Sequence, residues 1–136
     1  MLIVNPARTH VLLGRKKMFP QKMFSCLAGY VEAGESIEEA VRRESFEESG
    51  IHTDRVVYHS SQPWPFPSTL MMGCIAYATS DEIKVDTNEI EDAQWFSLDE
   101  IDLILKNAHP DKITVPNERT IAHQLIKFYN KNKSKL

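Results

Sequence analysis

Short apolar runs and longer amphipathic stretches alternate along the chain, and this pattern predicts a mixed α/β domain. Met1–Val4 and His10–Leu13 are apolar or β-branched runs of strand length, separated by a turn at Asn5-Pro6. Phe24–Leu27 is a third run of the same kind. Three more strands are predicted, at Arg55–Ser60, Leu70–Ala78 and Ala93–Phe96. The continuous apolar run in the second of these is typical of a buried strand.

Helical spacing appears in three stretches of the sequence. In residues 36–50, apolar positions recur at helical intervals, Ser36 and Glu39 form an S-x-x-E capping box, and Gly50 is typical of a residue that ends a helix. A second helix is predicted near Leu98–Leu105. The last helix is predicted from one apolar face, formed by Ile121, Leu125 and Tyr129. Strands interspersed with helices predict a sheet sandwiched between helical layers.

The segments between these elements are predicted to be loops. Ala28–Glu35 contains two glycines, and His109–Pro116 lacks periodicity. Ser61–Pro67 contains three prolines, which fix φ and remove amide donors. We therefore expect a stiff loop there, because proline excludes an interior strand.

Composition narrows the class of protein without naming its chemistry. The chain has 136 residues, 42% hydrophobic and 26% charged, which predicts one soluble domain. A net charge of -3 without a basic block argues against a DNA partner. No apolar stretch approaches the roughly 20 residues of a membrane span, and we expect no signal peptide. Cys26 and Cys74 are expected to be buried free thiols, and no zinc site is expected.

The first predicted helix carries a cluster of carboxylates. Glu44, Glu47 and Glu48 lie three and four positions apart and share one face, where like charges destabilise a helix. Arg43 is four residues before Glu47 and can pair with it. Two interpretations follow from the helix alone: a solvated acidic face with ion pairs, or a site for hard divalent cations such as Mg²⁺.

The spacing around this helix resembles that of a known family. From Gly29 to Ile51 the sequence follows the pattern G-x5-E-x7-R-E-x-x-E-E-x-G-I, which is similar to the Nudix box. Ser45 departs from the apolar residue of that pattern, and its hydroxyl is expected to bond to the Val41 carbonyl. The resemblance implies an α/β/α sandwich with a mixed sheet, in one domain over residues 1–133.

The same resemblance implies a metal-dependent active site. The implied catalytic residues are Arg43, Glu44, Glu47 and Glu48. Two or more Mg²⁺ or Mn²⁺ ions would be held chiefly by Glu44 and Glu48, assisted by Glu47 and the Ala28 carbonyl. Glu89 resembles a distant carboxylate that completes the metal site.

The proline-rich segment resembles one branch of this family. Alone, Ser61–Pro67 suits either a preorganised aromatic binding loop or a hydrophobic plug closing the sheet. Its letters S-Q-P-W-P-F-P resemble the NADH pyrophosphatase signature, and the similarity continues through Ser68–Met71, Asn88–Trp95 and Ile121–Ile126. The implied substrate-binding residues are Tyr30, Gln62, Pro63, Trp64, Pro65, Phe66, Pro67, Ser68, Thr69 and Ala122. His123, in the same stretch as Ala122, is expected to be structural.

This resemblance implies hydrolysis of the diphosphate of NADH or NAD(P)(H), giving nicotinamide mononucleotide and AMP. The alternatives are removal of a NAD cap from RNA, another substrate such as ADP-ribose or coenzyme A, and a non-catalytic nucleotide-binding module. RNA is therefore expected as a partner only when it carries that cap, and a homodimer is expected. Family members carry an upstream domain, so the chain is expected to be a fragment, a short isoform or a minimal version.

The last three letters, Ser134-Lys135-Leu136, match a peroxisomal address. The alternative is a basic tail that ends this way by chance. The resemblance is closest to the catalytic domain of peroxisomal eukaryotic NADH pyrophosphatases, which agrees with the address. We expect a peroxisomal protein, with the cytoplasm as a second location.

Overall fold

A five-stranded sheet with helices on both faces forms the centre of the molecule, whose computed structural model describes residues 1–135. The strands are β1 (Leu2–Val4), β2 (His10–Arg15), β3 (Thr53–Trp64), β4 (Thr69–Ala78) and β5 (Asp92–Ser97). The helices are α1 (Ile37–Ser49), α2 (Leu98–Leu105) and α3 (Ile121–Asn132). Across residues 1–135, no helix combines the length and the apolar character that crossing a membrane requires.

The sheet is mixed and its order is β3-β4-β1-β2-β5. Strand β1 is parallel to β4, and the other pairs are antiparallel. On β1, Leu2 and Val4 join the core under α2 and α3, while Ile3 joins the core under α1. Alternate side chains of one strand thus build two separate cores. The expected α/β class, with an α/β/α sandwich around a mixed sheet, is confirmed.

The proline-rich segment differs from the loop expected of it. Strand β3 continues through Trp64, and Ser61–Trp64 pairs with Thr69–Met72 of β4, so only residues 65–68 form the turn. Strand β3 lies at the edge of the sheet, where Pro63 is tolerated because no further strand needs its missing amide. Proline excluded an interior strand, as expected, but it did not exclude an edge strand.

The expected strand at Phe24–Leu27 was also wrong. No named strand forms here: Ser25 makes an isolated bridge with Gly14, and the preceding Met23 makes one with Thr114. Phe24 is buried in the core under α2 and α3, and Leu27 in the core under α1. The apolar run therefore reports burial between two cores rather than a strand.

Candidate catalytic and metal-binding site

Helix α1 is fixed at both ends, which sets the positions of its glutamates. The Glu39 amide donates to the Ser36 hydroxyl at 3.1 Å, and the Ser36 amide donates to the Glu39 carboxylate at 2.9 Å. Gly50 ends the helix at φ 70°, a left-handed conformation that suits glycine. The buried Ser45 hydroxyl donates to the Val41 carbonyl at 2.6 Å. The capping box, the glycine stop and the Ser45 contact are all confirmed.

Three carboxylates meet beside the sheet. Glu44 and Glu48 of α1 and Glu89 of the β4–β5 connection each offer a ligand atom, and these atoms lie within 4.8 Å of one another. Glu48 is only 1% exposed, and its Oε2 atom has no hydrogen-bond partner among the residues described. Burial raises the pKa of Glu48 to about 7, and the nearby carboxylates add to the rise. A solvated acidic face is therefore excluded for Glu48.

The connection that carries Glu89 is tied to the C-terminal end of α1 by main-chain hydrogen bonds. The Lys84 amide donates to the Ser49 carbonyl at 2.7 Å, and the Asp86 amide donates to the Glu48 carbonyl at 3.1 Å. The Glu89 amide then donates to the Asp86 carbonyl at 3.0 Å. These contacts explain how a residue 41 positions after Glu48 reaches the same site.

Arg43 connects Glu44 of this cluster to neighbouring carboxylates by hydrogen bonds. Its guanidinium donates to Glu35 at 2.7 and 2.9 Å, to Glu44 at 2.8 Å and to Glu47 at 3.2 Å. It also donates to the Tyr30 carbonyl at 2.9 Å. The hydrogen bonds from Arg43 lower the pKa of Glu35 to about 2. Arg43 therefore orients Glu44, while the half-exposed Glu47 pairs with Arg43 outside the three-carboxylate cluster.

A close approach of the main chain to Glu44 supports the fit of a cation. A Cβ atom built at Gly29 would lie 2.0 Å from Glu44 Cδ and 2.3 Å from its Oε2, so any larger residue there would displace the Glu44 carboxylate. The carboxylate is thereby pressed against the loop that begins at Ala28. Hard divalent cations prefer oxygen ligands, and the unpartnered Glu48 Oε2 lacks a positive partner. The residues present therefore fit a divalent cation.

The cluster opens into a cleft of about 940 Å³, a size that suits a small-molecule ligand. Both Glu44 and Glu48 line it. Of the residues predicted to bind substrate or metal, it also brings together Ala28, Tyr30, Trp64, Phe66, Ser68, Thr69 and Ala122. The Trp64 and Phe66 rings meet edge to face with centroids 5.3 Å apart, at the tip of the β3–β4 hairpin.

The other predicted substrate residues lie outside the lining of this cleft. They are Gln62, Pro63, Pro65 and Pro67. The Gln62 amide group donates to the Arg119 carbonyl at 2.7 Å and accepts from the Ile121 amide at 2.9 Å. Gln62 thus joins the hairpin to the start of α3. His123 meets the Pro116 carbonyl at 2.8 Å, which fits its expected structural role.

One segment that lines the cleft was not predicted from the sequence. The segment after β2 contributes Lys16, Met18 and Phe19 to the lining. In sequence, the three basic residues Arg15-Lys16-Lys17 are typical of a solvent-exposed turn. The contact that distinguishes it is an ion pair from Arg15 to Glu91 at 2.8 Å, 76 positions away, which no local pattern reveals.

Comparison with known proteins identifies relatives over almost the whole chain. The sequence model described as "NUDIX domain" matches residues 1–117. The human protein named "NAD-capped RNA hydrolase NUDT12" is 54% identical over 129 residues, which are 95% of this chain and 28% of that protein. The human "NAD(P)H pyrophosphatase NUDT13, mitochondrial" is 42% identical over 130 residues, covering 88% of this chain and 37% of that protein. The chain therefore spans about a third of the length of these relatives.

Solved structures share the fold at low identity. A hydrolase of the NUDIX family from Clostridium perfringens has a TM-score of 0.68 at 21% identity, covering 98% of this chain and 92% of that one. The NUDIX domain of Shewanella oneidensis NrtR, solved with ADP ribose, has a TM-score of 0.69 at 14% identity, with 96% and 83% covered. At these identities the likeness establishes the architecture alone.

Proposed function

The chain belongs to the Nudix hydrolase family, and from this premise we propose that it hydrolyses the diphosphate of an NAD-type dinucleotide using divalent cations. One observation carries the proposal. The buried Glu48 carboxylate lacks a partner for Oε2, lies beside Glu44 and Glu89, and opens into a cleft with aromatic walls. This arrangement suits a ligand that has charged phosphates at its centre and flat rings at its ends.

The proposed roles follow from the contacts of each side chain. When bound, Mg²⁺ or Mn²⁺ would neutralise the diphosphate and lower the pKa of an attacking water. Glu44, Glu48 and Glu89 would hold the ions, and Arg43 keeps Glu44 oriented through a 2.8 Å hydrogen bond. Ligand roles for Glu47 and the Ala28 carbonyl stay predictions.

The aromatic lining of the cleft suits heterocyclic bases. Tyr30, Trp64 and Phe66 are aromatic and partly exposed, and they line the same cleft as the carboxylates. The edge-to-face contact with Phe66 limits the freedom of the Trp64 ring, so less entropy is lost when a base stacks on it. We therefore assign these rings to the two bases of the dinucleotide.

Two substrates present this same bond. Free NADH or NAD(P)(H) would give nicotinamide mononucleotide and AMP, and the name of the 42% identical human relative includes NAD(P)H pyrophosphatase. A NAD cap on RNA is the second candidate, because the 54% identical human relative is named a NAD-capped RNA hydrolase. In both reactions the same diphosphate would occupy the site, and only the leaving group differs.

A hydrolysis screen tests the proposal directly. NADH, NAD, NADPH, ADP-ribose, coenzyme A and a 5′-NAD-capped RNA oligonucleotide are incubated with Mg²⁺ or Mn²⁺, and products are separated by chromatography. We expect nicotinamide mononucleotide from NADH, from the capped RNA, or from both. The ratio of the two kcat/KM values ranks the candidates. Cleavage of ADP-ribose or coenzyme A without release of nicotinamide mononucleotide would contradict the proposal.

A further inference from the structure

Lys16 is the one basic side chain that lines the cleft within residues 1–135. It is half-buried, and no carboxylate of the described residues approaches its ammonium within ion-pair distance. It nevertheless lines the same cleft as Glu44 and Glu48 of the carboxylate cluster. The lining of the cleft therefore combines this one basic side chain with two carboxylates, Glu44 and Glu48, and within residues 1–135 the Lys16 ammonium has no ion-pair partner. The Met1 ammonium also belongs to the lining, but it donates to the Leu27 carbonyl at 2.6 Å.

The main chain at Lys16 is firmly held by the residue before it. The Arg15 guanidinium donates to Glu91 at 2.8 Å and to the carbonyls of Phe19 and Met23 at 3.1 and 3.2 Å. It also donates to the Pro20 carbonyl. The Glu91 amide donates back to the Arg15 carbonyl at 2.7 Å. Arg15 thus anchors the segment 16–23 to the connection that carries Glu89, and Lys16 extends from this anchored base.

From this placement we infer that Lys16 contacts the substrate, and that its ammonium binds the diphosphate in the cleft. The inference deepens the proposed function and rests on it. An ammonium is a compact charge that suits phosphate oxygens, and it gains most where its alternative partners are distant. The carboxylates that hold the cations would repel a phosphate, so a basic side chain in the same cleft helps to retain it.

A different role for Lys16 makes a distinct prediction. If Lys16 only offsets the negative charge of Glu48, then its removal leaves phosphate binding unchanged. Either role requires metal affinity to stay the same or to rise on its removal, because a positive charge near the ligands repels a cation. Loss of phosphate binding with retained metal affinity is thus specific to a substrate contact.

The neighbouring lysine provides a matched control. Lys17 has the same charge and the same side chain, but it is exposed and lies outside the lining of the cleft. We compare Lys16→Gln with Lys17→Gln. Calorimetry in the presence of Mg²⁺ measures the binding of ADP and of adenosine. Electron paramagnetic resonance measures the affinity for Mn²⁺. The kcat/KM for NADH is measured on the same preparations, and melting temperatures verify folding.

We expect Lys16→Gln to weaken ADP binding and to lower kcat/KM for NADH by about 10- to 100-fold, the size of a hydrogen bond to a charged group. Adenosine and Mn²⁺ binding should not weaken, and Lys17→Gln should resemble the wild type. Equal ADP affinity in the two variants would overturn the inference. Failure of the wild type to release nicotinamide mononucleotide from either NADH or NAD-capped RNA would instead refute the proposed function, while the ADP comparison would still decide the role of Lys16.

Discussion

Glu48 is the residue whose environment most restricts the chemistry of the molecule. Its carboxylate is buried with one oxygen unpartnered, so ionisation of Glu48 carries an electrostatic cost that a bound cation would remove. Glu48→Gln keeps the size of the side chain but removes its charge. We expect kcat to fall by about 10² to 10³, as when a stabilising group at a transition state is lost. Turnover of NADH at saturating Mg²⁺ measures this.

The control for that substitution lies on the same helix. Glu38 is exposed in the first turn of α1, away from the cluster, so Glu38→Gln should keep near-normal turnover. Mn²⁺ affinity should fall in Glu48→Gln and stay constant in Glu38→Gln. Normal turnover in both variants would remove Glu48 from the set of metal ligands.

The same residue predicts a pH dependence for the metal-free protein. The pKa of Glu48 rises from 4.5 to about 7 on folding, so its neutral form is favoured in the folded state. Its stabilising contribution is complete below the unfolded pKa and is lost as pH rises through 7. In EDTA, the melting temperature of the wild type should therefore fall from pH 5 to pH 8 more than that of Glu48→Gln. Parallel melting profiles would contradict the raised pKa.

Trp64 is the residue that tests substrate choice. If its ring stacks on the nicotinamide, Trp64→Ala should lower kcat/KM for NADH by the equivalent of about 1–3 kcal/mol. ADP-ribose lacks the nicotinamide, so its kcat/KM should fall much less. The ratio of the two values, measured in one preparation, reports the position of the ring.

Tyr58 is a suitable control for the Trp64 substitution. It is an exposed aromatic residue on the same strand, β3, but it lies outside the lining of the cleft. Tyr58→Ala should leave both substrates unaffected. An equal loss on NADH and ADP-ribose in Trp64→Ala would mean that the ring serves the shared adenylate half or the fold, and melting curves separate these two cases.

The loop before α1 contains two glycines, one required by the lack of space around it and the other by its backbone conformation. At Gly29 a Cβ atom would collide with Glu44, whereas at Gly34 it would meet nothing within 4 Å. Gly34 instead adopts φ +80°, which costs other residues about 1 to 2 kcal/mol. Gly29→Ala should therefore weaken Mn²⁺ binding, and Gly34→Ala should lower the melting temperature with Mn²⁺ affinity retained. If Gly29→Ala retains the Mn²⁺ affinity of the wild type, then the loop does not press on Glu44.

Elements whose signals are local were predicted well from the sequence. Helix α1 was predicted from a capping box and a glycine stop, and α2 was placed at Leu98–Leu105, as observed. Segments whose secondary structure depends on contacts with distant parts of the chain were predicted less well. Phe24–Leu27 is apolar because two cores meet it, and the hairpin beyond Ser60 depends on its pairing with β4. Periodicity reports burial more directly than it reports hydrogen bonding.

The site shows the same division between local and distant information. The positions of Glu44 and Glu48 on one helix face follow from their spacing. Glu89 was indicated by resemblance alone, since its place depends on main-chain bonds to the end of α1. Lys16 was missed, because its position depends on an ion pair between residues 76 apart in sequence.

At the scale of the whole molecule, the address at the C-terminal end stays a proposal. Ser134 and Lys135 are exposed, and Leu136 lies outside the described residues. We propose that these three residues direct the protein to peroxisomes. A fluorescent protein fused before Met1 should therefore locate there, and one fused after Leu136 should stay in the cytosol. An identical distribution of both fusions would reduce the segment to a basic tail.

The homodimer also stays a proposal for the intact protein. Strand β3 is an edge of the sheet, and exposed apolar side chains lie on it and on its partner strand, among them Tyr58 and Leu70. Unpaired edges and exposed apolar groups favour association. Sedimentation equilibrium at several protein concentrations should show a mass of twice 15.6 kDa if the chain forms the dimer by itself.

The main-chain attachment of the β4–β5 connection has a consequence for which substitutions this chain can accept. Lys84 reaches the Ser49 carbonyl through its amide, while its side chain is exposed and only loosely paired. We therefore expect most substitutions at this position to cost little, except Lys84→Pro, because proline alone lacks the required amide donor. In a saturation library selected for activity, most residues at position 84 should be tolerated and Lys84→Pro should be rejected. A position with no preferred amino acid would then still exclude one.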